Sequence, residues 1–427
     1  MKKVLIITYY WPPAGGPGVQ RWLKFVKYLR SFEVEPVVYV PENPSYPIID
    51  KSFEAEVPPG IKVLKEKIFE PYSIAGIFSK KDTETISSGI IQKEENQSPL
   101  QKAMLYIRGN YFIPDARKFW IKPSVNFLKK EIENHDYKAI ITTGPPHSLH
   151  LIGLNLKKET GCKWIADFRD PWTQIGYHEK LKLNESSREK HEKLESEVLN
   201  TADHIITTSF TTKAEFETKT SKPITVITNG FDSEVNSNTV EKKKFEVAHI
   251  GSLLSGRNPE NLWKALHQLL DEHKDFRKEF QLKLAGKVSE VVLESIKDSG
   301  LEEYLVNEGY VSHSKALQMQ RQATVLLLIE IDSIETRGII PGKLFEYLAS
   351  RTPILAIGPD KWDAERIITE TNSGKVFSYA DAPKIKEHIF GLFQKYQQGE
   401  PVRDSHDIEK YHRKALTGKL AKLINGI

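Results

Sequence analysis

The chain has 427 residues, more than a single hydrophobic core grows to, so two domains are expected. With 39% hydrophobic and 28% charged residues it has an ordinary globular composition; 61 basic against 57 acidic residues leave only +4, which gives no support to nucleic-acid binding. The single cysteine, Cys162, excludes an internal disulfide and a cysteine-rich metal site, and fits a reducing compartment.

The opening stretch MKKVLIITYYWPP places two lysines before an apolar run, as a signal peptide does. The run is short, stops at Pro-Pro and lacks a small-residue cleavage site, so it reads as a first buried strand. No apolar segment approaches the roughly 18 residues needed to cross a bilayer. A cytoplasmic protein is expected, with peripheral attachment to the inner membrane face left open.

Strand-like runs then alternate with amphipathic helices. In the first half they are KVLIITYY (3–10), EPVVYVP (35–41), IKVLKEK (61–67), KAIITTG (138–144), KWIADF (163–168), HIITTS (204–209) and ITVITNG (224–230). Helical patterns at 19–32 and 186–201 lie between them. The alternation restarts with FEVAHIGS (245–252), FQLKLAG (280–286), LVNEGYV (305–311), ATVLLLIEI (323–331) and PILAI (353–357). Strands separated by helices predict an α/β protein with two doubly wound, Rossmann-like parallel sheets facing a central cleft. The expected domains are 1–222 and 223–405, followed by a helical tail at 406–427 with Leu416, Leu420 and Leu423 on one face. The charged stretch 231–244 reads as the connection, and the polar, aperiodic 78–101 as a mobile insertion. Cys162, at the start of the KWIADF run, reads as structural rather than as a nucleophile.

Ligands of open α/β sheets bind at the carboxyl ends of strands, so the loops there hold the candidates. WPPAGGPGVQR (11–21) has two prolines and three glycines within 13–18, more than a turn needs, and fails the G-x-G-x-x-G pattern at Arg21. Gly15 and Gly16 are its ligand-facing candidates. TTGPPHSLH (142–150) offers His147 as a base or donor, with His150 turning into its helix. In ADFRDPW (166–172), Asp167, Arg169, Asp170 and Trp172 could orient sugar hydroxyls and stack on a ring; a salt-bridged turn is the alternative. GSLLSGRNP (251–259) brings Arg257 towards a helix start, as a pyrophosphate would require. GPDKWDAERI (358–367) adds Trp362, Asp363 and Glu365 as weaker candidates.

The stretch IIPGKLFEYLASRTPILAIGP (339–359) is the most informative. A helix starting near Gly342 sets Leu344, Phe345, Leu348 and Ala349 on one side and Lys343, Glu346, Tyr347 and Ser350 on the other. Its free N–H groups and positive end suit a phosphate, with Lys343 as the cation and Glu346 placed for ribose hydroxyls. The alternative is a solvated lysine and a glutamate that merely complements the dipole. No Asp-x-Asp, Walker A, Gly-x-Ser-x-Gly or His-Glu-x-x-His occurs, which disfavours a metal-dependent sugar-nucleotide site of the Asp-x-Asp kind.

Taken in order, these loops, together with ITNGFD (227–232), LKLAG (282–286) and NEGYVS (307–312), resemble a GT-B glycosyltransferase of family 4 along nearly the whole chain. The resemblance implies a nucleotide-diphosphate sugar donor held by the second domain and a saccharide or lipid-linked acceptor held by the first. It further implies retention of configuration, no metal, no cofactor and a role in surface polysaccharide synthesis. Glu346 matches the second glutamate of the family's Glu-x7-Glu motif, but Gly338 stands at the first. Ser252 stands where the family tends to carry an arginine, leaving Arg257 and Lys343 for the diphosphate. His147 and Asp170 would then position the acceptor. A sugar-nucleotide epimerase or a non-catalytic protein on the same scaffold are the alternatives. The aromatic and basic run at 106–123 reads as a packed helix pair, or else as a membrane- or acceptor-facing surface.

Overall fold

The computed structural model describes residues 1–70, 99–174, 181–232, 243–400 and 405–427. Most of the expected insertion at 78–101, and the middle of the connection at 231–244, lie outside these residues. The chain forms two compact units, residues 1–229 with 413–427, and residues 230–412.

The first unit holds a seven-stranded sheet in the order β3-β2-β1-β4-β5-β6-β7. Its strands are β1 (Lys2–Ile7), β2 (Val34–Pro41), β3 (Lys62–Glu66), β4 (Ala139–Gly144), β5 (Trp164–Phe168), β6 (His204–Thr207) and β7 (Ile224–Val226). All pairs are parallel; Ile6 lies between Val38 and Ile141. A parallel sheet is covered on both faces, so its central strands must be apolar throughout. Every residue of β4 and β5 is accordingly buried. One face packs around Trp120, Trp164 and Phe168, the other around Trp22, Leu23 and Val26. The first unit runs to Asn229 rather than ending at 222, because β7 adds to β6 as the last strand.

The second unit repeats the plan with six strands, β10-β9-β8-β11-β12-β13. These are β8 (Phe245–Ile250), β9 (Phe280–Ala285), β10 (Leu305–Asn307), β11 (Val325–Ile329), β12 (Ile354–Ile357) and β13 (Gly374–Phe377). The sequence offers no apolar run for β13, an edge strand in which Gly374 and Val376 are partly buried, Lys375 is exposed and only Phe377 is buried.

The helix Arg413–Gly426 belongs to the first unit and lies against the helix Pro17–Leu29, burying Leu416, Leu420 and Ile424 in the cluster that contains Trp22. Residues 405–412 stay with the second unit. In the 106–123 segment burial differs from residue to residue. Trp120 is fully buried and stacks on Tyr39 at 5.0 Å, while Tyr111 and Phe119 are exposed. Among the described residues no helix is long and apolar enough to cross a membrane.

Replacing a fully buried leucine by alanine removes transfer energy and leaves a cavity, about 2–5 kcal/mol together. Leu420→Ala should therefore lower the denaturation midpoint of the first unit, followed by tryptophan fluorescence. An unchanged midpoint would show that the tail adds nothing to that core.

Candidate functional site

In the second unit, β8 and β11 lie side by side, but the chain leaves them in opposite directions around the sheet. Such a switch point opens a crevice at the carboxyl ends of the strands. Beyond β8 the backbone turns at Gly251, whose φ of +121° suits only glycine. A Cβ there would stand 2.9 Å from the Lys343 ammonium, so the glycine also makes room for that group.

Lys343 sits in the first turn of the helix Gly342–Ser350, and Pro341 precedes it in extended conformation. Gly342 is exposed, and a side chain there would meet nothing within 4 Å. The Lys343 Nζ lies 3.1 Å from Nε2 of His249, a β8 residue with no exposed surface. Burial, with the nearby Arg257 charge, lowers Lys343 to about 8, against the pull of Glu330 and Glu346. Arg257 donates from Nε and Nη2 to Glu330 Oε1 at 3.0 and 2.8 Å. Glu330 is 1% exposed and also accepts from the Ile331 N–H.

One turn along the helix, Glu346 Oε2 accepts from the Gln320 amide at 3.0 Å. Its Oε1 accepts no hydrogen bond among the described residues and lies 4.0 Å from His313 Nδ1, and the side chain is 35% exposed. Lys343, Arg257 and Glu346 are thus brought together, two cations and a carboxylate with an open oxygen. Ser252 is exposed beside them, its carbonyl 3.4 Å from His249 Nε2. Tyr347 differs from its expected polar-face position. It is fully buried, and its hydroxyl bonds the N–H and carbonyl of Ile250, pinning the helix to the end of β8. Trp362 and Asp363 brace the loop before the helix. The Trp362 indole donates to Ile339 O at 2.6 Å and the Asp363 N–H to Arg337 O at 2.8 Å, on either side of Gly338.

In the first unit the structure corrects several expectations. Asp167 is fully buried, and its carboxylate accepts from Arg21, Trp22 and Thr143, with Arg21 gripping both oxygens at 2.7 and 3.2 Å. It joins β4, β5 and the first helix and has no oxygen left for an acceptor. Trp172 is likewise fully buried, its N–H on His191 Nδ1 at 3.1 Å, so it offers no face to a sugar. His147, 3% exposed, lies flat on that indole at 4.8 Å. His150 bonds Thr142 at 2.9 Å, and burial pushes its ring down to about 3, so it stays neutral. Arg169 donates to the carbonyls of Gly18, Gly144 and Pro145, stapling two loops together. Gly15 donates to Ile48 O at 2.8 Å, and a Cβ there would meet Ile48 at 2.7 Å, while Gly16 has φ +90°. Both glycines therefore have a reason in the chain's own packing. Of this group only Asp170 is exposed, with no hydrogen bond among the described residues.

Residues 91–235 match the family model described as Glycosyltransferase Family 4. No curated protein matches the sequence significantly. The whole chain superposes on sucrose-phosphate synthase from Thermosynechococcus elongatus with a TM-score of 0.60 at 13% identity, covering 99% of that chain. A lipopolysaccharide outer core galactosyltransferase, WaaB, gives 0.58 at 14% identity, with 100% of both chains covered. A putative UDP-N-acetylglucosamine 2-epimerase from Listeria monocytogenes gives 0.54 at 11% identity, over 100% of this chain and 96% of that one. The chain has the GT-B fold, and within it residues 91–235 are similar to glycosyltransferase family 4.

Sequence reasoning about this GT-B chain missed His249, Gln320 and Glu330, the groups beneath Lys343, Glu346 and Arg257. Two of them left a signal: a histidine inside the apolar FEVAHI and a glutamate closing LLLIE are costly in a buried strand unless paired. Among the described residues no three His, Cys, Asp or Glu side chains are grouped to hold a metal ion.

Asp167→Ala strands the buried Arg21 charge, which should cost about 3–5 kcal/mol of stability. Arg21 and the hydrogen bonds hold the folded carboxyl below its ordinary value against the penalty of burial. Its stabilisation is therefore complete above the unfolded pKa of about 3.9 and fades as the pH falls through the lowered folded value. Urea unfolding of the variant and the parent checks the loss; equal midpoints would contradict the structural role.

Proposed function

We propose that this protein is a retaining glycosyltransferase that moves a sugar from a nucleotide-diphosphate sugar to a saccharide or lipid-linked acceptor, without a metal. The observation that carries the reading is the grouping of Lys343, Arg257 and Glu346 at the start of the helix Gly342–Ser350, at the switch point of the second unit. The two cations and the helix N–H groups suit a diphosphate, and the open Oε1 of Glu346 suits a pair of ribose hydroxyls. During transfer, negative charge grows on the leaving diphosphate, and Lys343 and Arg257, already oriented, would stabilise it most in the transition state. Retention, the type of acceptor and a role in surface polysaccharide synthesis rest on the family resemblance. On the acceptor side Asp170, an exposed residue whose carboxyl is pushed above its ordinary value by desolvation, is the candidate to orient a hydroxyl, while His147 is buried. The fold is shared with an epimerase-like protein, so donor incubated without acceptor is an informative control. A new sugar nucleotide would mark an epimerase.

UDP, GDP, ADP and CMP, each with EDTA, should be screened for thermal stabilisation. A diphosphate at a hundredfold excess over its Kd adds about 2.7 kcal/mol to the folded state. One diphosphate should raise Tm, and Glu346→Ala should lose the shift. Silence with every nucleotide would defeat the donor-site reading.

Binding should also weaken as the pH rises through about 8, where Lys343 loses its proton. Diphosphate is fully ionised by then, so the fall belongs to the protein. In Lys343→Arg, whose guanidinium stays charged, affinity should be flat across that range; an equal fall in both proteins would assign it to another group.

A further inference from the structure

Two cations stand at the donor site, and they are mounted in opposite ways. Arg257 rests on the buried carboxylate of Glu330, so that pair carries no net charge. Lys343 rests on a histidine. His249 has no exposed surface, and burial, reinforced by the Lys343 charge, drives its pKa well below the usual histidine value. The ring is therefore neutral and carries one proton. Nδ1 lies 3.1 Å from the Leu327 carbonyl of β11, which can only accept, so the proton sits on Nδ1. Nε2 is then a bare lone pair facing the Lys343 ammonium at 3.1 Å, and the Ser252 carbonyl at 3.4 Å cannot supply a proton to it.

We propose that His249 is a positioning residue, whose neutral ring, anchored on β11, holds the Lys343 ammonium over Gly251 without cancelling its charge. This rests on the reading of Lys343 as the diphosphate-binding cation. A carboxylate in place of the ring would hold the lysine equally well but neutralise it. With no partner, a half-buried ammonium on a four-carbon stem would swing towards solvent and have to be ordered again for each donor. The neutral acceptor keeps the position and leaves a whole positive charge, with N–H groups to spare, for the ligand. Gly251 completes the arrangement, since a Cβ there would stand 2.9 Å from the ammonium and press it out of position.

The test uses the full chain and titrates UDP, GDP and ADP, each against its own nucleoside, by calorimetry. His249→Phe keeps a ring in the strand but removes the acceptor. It should weaken the diphosphate that binds by about tenfold, the usual weight of a hydrogen bond to a charged group, and leave the nucleoside unchanged. The His249→Gln amide reaches the Nε2 position and should restore diphosphate affinity to within about threefold. In a Lys343→Ala background, His249→Phe should change nothing further, because the two residues act as one unit. If the phenylalanine variant does not fold, His249→Asn, whose amide reaches only the Nδ1 position, supplies the same arm. Equal loss of diphosphate and nucleoside, or wild-type diphosphate binding without the acceptor, would overturn the positioning role while leaving the donor site standing. Absence of diphosphate binding by the wild-type protein would overturn both.

Discussion

The side-by-side pairing of β8 with β11, and of β1 with β4, is the constraint on which the rest depends. In each sheet these neighbours send the chain to opposite sides, and the loops after them part. Elsewhere the parallel strands are covered by helices on both faces and can carry little but apolar side chains. Polar chemistry is thereby confined to the strand ends, where both families of candidate residues are found. The second unit places a turn through Gly251, a buried histidine and a helix N-terminus at one such end. The first unit places a glycine loop, two prolines and an aspartate there.

The two ends use charge differently, and burial decides the difference. Asp167 and Arg21 are both out of water, so each must spend its full hydrogen-bonding capacity on the other and on near neighbours. That joins a helix to two strands and leaves nothing for a substrate. Arg257 is 29% exposed above a buried Glu330, and Glu346 is 35% exposed beside a buried Gln320. In each of these pairs the buried member orients and the outer one keeps spare valence. Lys343 and His249 follow the same rule with a neutral support. A site able to hold a charged ligand is built from half-buried charges on fully buried mounts.

What the sequence determined by itself is the alternation of apolar runs and helices, hence two parallel sheets, because period and burial are written in single residues. It also determined that Lys343 and Glu346 share a helix face, since three residues is nearly one turn. The tertiary structure decided what no local spacing contains. The edge strand β13 buries only Phe377 and leaves Lys375 exposed, so it shows no apolar run. Tyr347 turned inward because a hydroxyl can bond the end of β8, 97 residues away in the chain. Asp167, Trp172 and Asp170 lie within six positions in one stretch, yet two are sealed in the core and one faces water. A carboxylate at a strand end reads alike in either case. Only the neighbours that long-range packing brings to it determine whether it supports the fold or is left over for a ligand.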